Sequence, residues 1–224
     1  MNEIIFLIHL IIISITSLIM LSLGGAALTT FLCAQALLAN LFVLKQITLC
    51  GWNATASDIY IVGSVLSLNL LQEYFGKSKA RQAIWISFIL LVFYTLASQI
   101  HLWYLPHCND FTQAHYELLL SYMPRITIAS LIVYLIVQHF DLFFYSKLKY
   151  FFNDRSLLLR NIISISISQL LDTILFSFLG LYGVIQDLEQ VMIVSYIIKL
   201  VTIMLLVPLI ILCIKKVNSP AKSV

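Results

Sequence analysis

Five ionisable side chains fall within or at the edges of long apolar runs: Glu73, Arg125, Asp141, Asp172 and Lys199. An ion in hydrocarbon is costly, so each marks either a structural pair or a place that binds something polar. Asp172 lies about ten residues from Tyr182, and Lys199 about eight from Val191, too deep to reach water along their own helices. Glu73 and Asp141 lie near the ends of their runs, where interface solvation or pairing with Lys77 or Lys147 would serve as well as a binding role. Arg125 follows Pro124 at the start of a run and can snorkel to headgroups. Uncharged polar groups are spaced to join these ions. Thr127, Ser130, Tyr134, Gln138 and Asp141 recur at three and four residues, which puts them on one helical face. Asn161, Ser164, Ser168 and Asp172 repeat the pattern with Gln169 at its flank, and Ser195, Lys199 and Thr202 form a third stripe. Bonding between helices accounts for many of the hydroxyls. Long amides, a phenol, a carboxylate and an ammonium together read as the lining of a cavity for a small polar solute. Counted from the ends of neighbouring helices, Asp172 and Lys199 differ in level by roughly 3 Å, so they can pair.

Other chemistry is not indicated. The sequence has no GxSxG, HExxH, P-loop or Gly-rich dinucleotide pattern, so an enzyme is not expected. Cys33, Cys50, Cys108 and Cys213 have no ligand spacing, and neither a metal nor a cofactor is expected. Cys50 and Cys108 fall in loops on one side, and a disulfide between them is left unassigned.

The elements that position these groups follow from composition. Of 224 residues, 61% are hydrophobic and 10% charged, and the mean hydropathy is +1.00. A soluble globule could not cover such a surface, whereas a bilayer accepts it. A spanning helix needs about 20 apolar residues. Candidate spans run Ile4 to Leu23, Ala26 to Leu44, Ile59 to Phe75, Gln82 to Tyr104, Ile126 to Phe144, Ile162 to Tyr182 and Val191 to Ile214. The fold class is therefore an all-α membrane protein, a polytopic bundle of six to seven transmembrane helices. It forms a single domain with an extra N-terminal helix over 1–25, a core over 26–214 and a tail over 215–224. Lys77, Lys79, Arg81, Lys147, Lys149, Arg155, Arg160, Lys215, Lys216 and Lys222 alternate with loops that carry Asp110, Glu117, Asp187 and Glu189. The positive-inside rule then puts the basic loops and the C-terminus in the cytoplasm, with Lys45 as the exception. The formal charge of +3 does not indicate nucleic-acid binding.

Several blocks carry a family resemblance. Asn69-Leu-Leu-Gln-Glu-Tyr-Phe-Gly76 followed by Lys77-Ser-Lys-Ala-Arg81 resembles the DxxNExYG helix end and basic turn of the queuosine-precursor transporter family. Arg125-Ile-Thr-Ile-Ala-Ser130, continued by Tyr134, Gln138 and Asp141, is similar to its RIxxAS…AYxxxQxxD helix. Arg160-Asn161 through Ser168-Gln169, Asp172 and Phe176 is similar to its R…SQxxDTxxF helix, and Tyr196, Lys199 and Pro208 fit its last helix. The resemblance covers about Leu38 to Pro208. It departs from the family pattern at Asn69, where an acid is common, and at Gln72, where Asn is common.

The resemblance implies an inner-membrane importer of 7-cyano-7-deazaguanine, 7-aminomethyl-7-deazaguanine or queuine for tRNA modification. The implied fold is similar to the substrate-binding subunits of vitamin uptake systems. The implied substrate-binding residues are Glu73, Arg125, Ser130, Tyr134, Gln138, Asp141, Asn161, Ser168, Gln169, Asp172 and Lys199, with Tyr134 or Phe176 stacking on the ring. The implied partners are the small 7-deazaguanine and the lipid bilayer, and no oligomeric state is implied. The competing readings are a substrate-binding subunit that needs a separate ATPase, and a membrane assembly protein that transports nothing.

Overall fold

The computed structural model describes residues 1–224 except 44, 50, 56, 121–122, 153–155, 183–187 and 218–224. Cys50, Arg155, Asp187 and Lys222 therefore lie outside the described residues. Helix α1 (Asn2–Leu23) turns at Gly24 into α2 (Gly25–Phe42). A two-stranded antiparallel hairpin follows, β1 (Gln46–Leu49) and β2 (Trp52–Thr55). Helices α3 (Asp58–Phe75), α4 (Lys77–Trp103), α5 (Gln113–Leu120), α6 (Met123–Phe151), α7 (Leu157–Phe176) and α8 (Leu188–Val217) complete the chain, with a π-helical turn at Ser177–Leu181 after α7.

Two single glycines make the sharpest reversals. Gly24 has φ 107 and Gly76 φ 89, conformations that a side chain resists, so each ends one helix and starts the next without a loop. The sequence places Lys77, Lys79 and Arg81 in a loop; the structure instead puts them in the first turns of α4. In the same way α6 continues past Phe144, so that Lys147 and Lys149 are helical, and α7 starts early enough to include Arg160. These boundaries moved because Lys and Arg are good helix formers whose charged heads reach the interface from within a helix. The hairpin and the short α5 are further elements that the apolar runs do not announce.

Helices Asn2–Leu23, Gly25–Phe42, Lys77–Trp103, Ile128–Phe151 and Leu157–Gly180 are long and apolar enough to cross a membrane, and α8 contains the shorter apolar stretch Met192–Pro208. This is a multi-pass, all-α membrane protein. At about 1.5 Å per residue, the 22 residues of α1 exceed the ~30 Å hydrocarbon core. Its Ile4, Ile8, Ile11, Ile15 and Ile19 face outward, as a lipid contact requires, while Leu10, Ile13, Ser14 and Ser17 are buried. Helix α3 shows the reverse: it is buried almost continuously from Val62 to Gln72, and α1, α2, α4, α6, α7 and α8 all pack against it. That central place explains how a helix with Ser64, Ser67, Asn69, Gln72 and Glu73 lies within the bundle, since none of these has to face lipid. Close approach of α2 is allowed by Gly63. A Cβ there would overlap Gln35 Oε1, and Gln35 Nε2 donates to Ser67 Oγ at 3.1 Å.

Candidate functional site

A cavity of about 130 Å³ lies between α2, α3, α6, α7 and α8, in the half of the bundle nearest the hairpin. Ile61, Val65, Val133, Val137 and Phe176 supply apolar walls, and Asn40, Asp58, Gln138, Gln169, Asp172 and Lys199 supply polar groups. The α6 stripe reaches it through Ser130, Tyr134 and Gln138, and the α7 stripe through Asp172, with Gln169 and Thr173 beside it.

Its centre of charge is Lys199. The ammonium donates to Asp172 Oδ2 at 2.7 Å and to Thr173 Oγ1 at 3.1 Å. Asp58, buried in the first turn of α3, lies near enough to act on it electrostatically. The N-terminus of α3 favours the Asp58 anion. Beside this group the Gln169 amide is fully buried, and neither its Oε1 nor its Nε2 has a hydrogen-bond partner among the described residues. Gln138 Oε1 is in the same condition. The Tyr134 hydroxyl is close to Ser87 and Gln138 without a well-aligned bond to either. Ser130 is engaged across the cavity, donating to Asn40 Oδ1 at 2.8 Å. A buried amide without partners costs about 1–3 kcal/mol, so the cavity presents donors and acceptors that a bound polar solute would satisfy.

The other sequence candidates gather at the basic end instead. Glu73 accepts from Arg160 Nη1 at 3.3 Å and Nη2 at 3.1 Å, and from the Tyr145 hydroxyl at 3.2 Å, with Lys149 Nζ at 3.3 Å. Asn161 donates to the Tyr145 oxygen at 3.4 Å. Asp141 Oδ1 accepts from Ser164 at 2.7 Å and Ser168 at 2.6 Å. Lys77 and Lys147 are thus not the partners of Glu73 and Asp141. Their ammonium groups lie 5.9 and 4.5 Å from the Phe143 ring centroid. Glu73, Asp141, Asn161 and Ser168 do not line the cavity. Arg125 is on α6, and its side chain lies outside the described residues.

Sequence reasoning missed Asp58, Asn40 and Thr173. Asp58 had a legible signal, because Asp58, Ile61 and Val65 repeat at three and four residues, but an acid one position before an apolar run reads as a boundary. Asn40 and Thr173 carry the same spacing, with Ala36 and Val43 and with Gln169 and Phe176, but one Asn or Thr among apolar residues reads as bonding between helices.

Comparison with known proteins fits this architecture. Residues 55–213 match a family described as "Putative vitamin uptake transporter". The chain is 34% identical over 148 residues to a protein of Bacillus subtilis (strain 168) named "Probable queuosine precursor transporter", a match covering 64% of this chain and 65% of that relative. No solved structure gives a significant match. The family match runs from β2 through α8 and takes in every charged residue of the cavity, so the chain belongs to this vitamin uptake transporter family.

Proposed function

We propose that the chain is an inner-membrane importer of queuosine precursors, taking 7-cyano-7-deazaguanine, 7-aminomethyl-7-deazaguanine or queuine into the cytoplasm for tRNA modification. The observation that carries the reading is the unpartnered Gln169 amide beside the Asp172–Lys199 pair in a cavity of about 130 Å³. A cavity of about 150 Å³ takes up benzene, so a cavity of this size suits a small compound rather than a lipid or a peptide. In this reading a two-ring base enters by drawing Asp172 and Lys199 apart. Its aminopyrimidine edge presents adjacent N–H donors that match a carboxylate in bidentate fashion. Its carbonyl oxygen accepts from the Lys199 ammonium or the Gln169 amide, and its ring faces suit Phe176 and Tyr134. The name of the Bacillus subtilis relative supports the same substrate class.

The basic end is cytoplasmic in this reading, so solute enters the cavity from the hairpin side. The Glu73–Arg160–Tyr145 cluster then lies on the route inward and opens to release it. The second reading, a binding subunit served by a separate ATPase, draws on the absence of a nucleotide-binding motif in this sequence. Complementation separates the two. In a strain lacking both synthesis and uptake of the precursors, expression of this chain alone restores queuosine in tRNA if it is self-sufficient. No restoration despite confirmed membrane insertion sinks that reading and leaves the subunit.

A further inference from the structure

Asp141 differs from Glu73 and Asp172, each of which meets a cation. It is fully buried, and both of its hydrogen bonds, from Ser164 and Ser168, go to Oδ1. Among the described residues, Oδ2 has no hydrogen-bond partner and no ion pair reaches the carboxyl. The charged groups on the surrounding helices are otherwise engaged: Glu73 of α3 with Arg160 of α7 and Lys149 of α6, Asp172 of α7 with Lys199 of α8, and Lys77 of α4 over Phe143. The hydroxyl of Tyr145 on α6 donates to Glu73, and His139 on α6 meets Trp85 of α4 edge to face. A lone carboxylate within a bundle in lipid is strongly disfavoured, whereas the neutral acid is tolerated.

Position adds the second argument. Asp141 is one turn along α6 from the cavity residue Gln138 and one turn from Tyr145 of the inner cluster. Ser168 precedes the cavity residue Gln169. The carboxyl therefore lies between the cavity floor and the contacts that close the basic end. Asn69 stands at the same depth, because it precedes Glu73 by one turn as Asp141 precedes Tyr145, and its buried amide has no partner either. A group so placed is separated from the cavity by the Gln138 turn of α6 and from the inner side by the Glu73 cluster, so a proton reaches it from the outer side past Gln138 and leaves inward only when that cluster opens.

We propose that Asp141 is the proton-binding site that couples solute uptake to an inward proton gradient. A proton from water on the hairpin side is carried as the Asp141 carboxylic acid and released to cytoplasmic water when the inner cluster opens, with one solute moved in the same direction. The proposal rests on the uptake reading above, and its test separates the two.

The test uses purified protein in liposomes, with tritiated 7-cyano-7-deazaguanine as probe and an imposed inside-alkaline gradient. The wild type is expected to concentrate the probe by up to about tenfold per pH unit for one proton per solute. Asp141→Asn is expected only to equilibrate it. Equilibration by the wild type whatever the gradient, or full accumulation by Asp141→Asn, overturns the proposal and leaves the uptake reading intact. Absence of any probe entry, even at equilibrium, refutes the uptake reading instead. Infrared spectroscopy then decides the proton site without substrate: a protonated-carboxyl band present at neutral pH is expected to vanish in Asp141→Asn, and a wild type without that band overturns the proposal. Should Asp141→Asn not fold, Asp141→Glu keeps a carboxyl and is expected to concentrate the probe with a displaced band; an undisplaced band counts against the assignment.

Discussion

Replacing Asp172 with Asn tests whether the central ion pair binds solute or only holds helices together. The substitution keeps the shape and removes the charge facing Lys199 at 2.7 Å. Removing one partner of a buried pair costs about 3–5 kcal/mol when the other charge is stranded. Here the loss falls below that range. The Asp172 side chain retains 16% exposure, Thr173 Oγ1 still accepts from Lys199 at 3.1 Å, and Asp58 remains nearby. A folding penalty of about 1–2 kcal/mol follows, small enough for the protein to insert. The binding penalty is larger in relative terms. A hydrogen bond to a charged group contributes about 1.5–3 kcal/mol, so the apparent affinity for a deazaguanine drops about 10- to 100-fold. The assay is concentration-dependent uptake in cells, normalised to folded protein measured by fluorescence-detected size exclusion. Combining Asp172→Asn with Lys199→Gln removes both charges: a purely structural pair predicts recovery of folded protein and of uptake together, whereas a binding role predicts recovery of fold alone. Uptake by Asp172→Asn with wild-type concentration dependence would exclude a binding role for Asp172.

Glu73→Gln removes the carboxylate that the Arg160 guanidinium, 1% exposed, meets at 3.1 Å, and is expected to cost about 1.5–3 kcal/mol of stability, read as a lowered Tm of detergent-solubilised protein. Gly63→Val drives a branched side chain into Gln35 and is expected to cost about 1–3 kcal/mol by overpacking α2 against α3, with reduced folded yield as the measurement. Reporter fusions near Asp110, in the exposed segment between α4 and α5, are expected to read external, and fusions at the C-terminus cytoplasmic; the inverse would reverse the orientation.

What the sequence disclosed follows from helical periodicity. Ser130, Tyr134 and Gln138 share a face because the α-helix repeats every 3.6 residues, and they do line one wall of the cavity. The level of Asp172 against Lys199 was legible for a similar reason, since the rise per residue is constant and the two helices are neighbours. Partners across distant helices were not legible. Glu73 has basic residues close by in sequence, yet it pairs with Arg160, 87 residues away, because α3 is central and its last turn faces α7 rather than the start of α4. Asp141 could likewise be assigned a lysine on its own helix. Its direction toward α7 brings serine hydroxyls instead. Asp58 was hidden by position: a helix start inside the bundle and one at the membrane surface look the same in sequence. The β1–β2 hairpin was hidden by brevity, since a four-residue strand carries too little alternation to stand out.

In the proposed function the cavity between α2, α3, α6, α7 and α8 holds a 7-deazaguanine. Photolabelling tests it most directly, with an azide-bearing 7-deazaguanine irradiated on the membrane-embedded protein and the adducts mapped by mass spectrometry. Labelling is expected on α6 around Tyr134 and Gln138 and on α7 between Gln169 and Phe176, abolished by excess unlabelled 7-cyano-7-deazaguanine. Label that survives competition, or that falls instead on the Lys77 and Phe143 surface at the basic end, would contradict it.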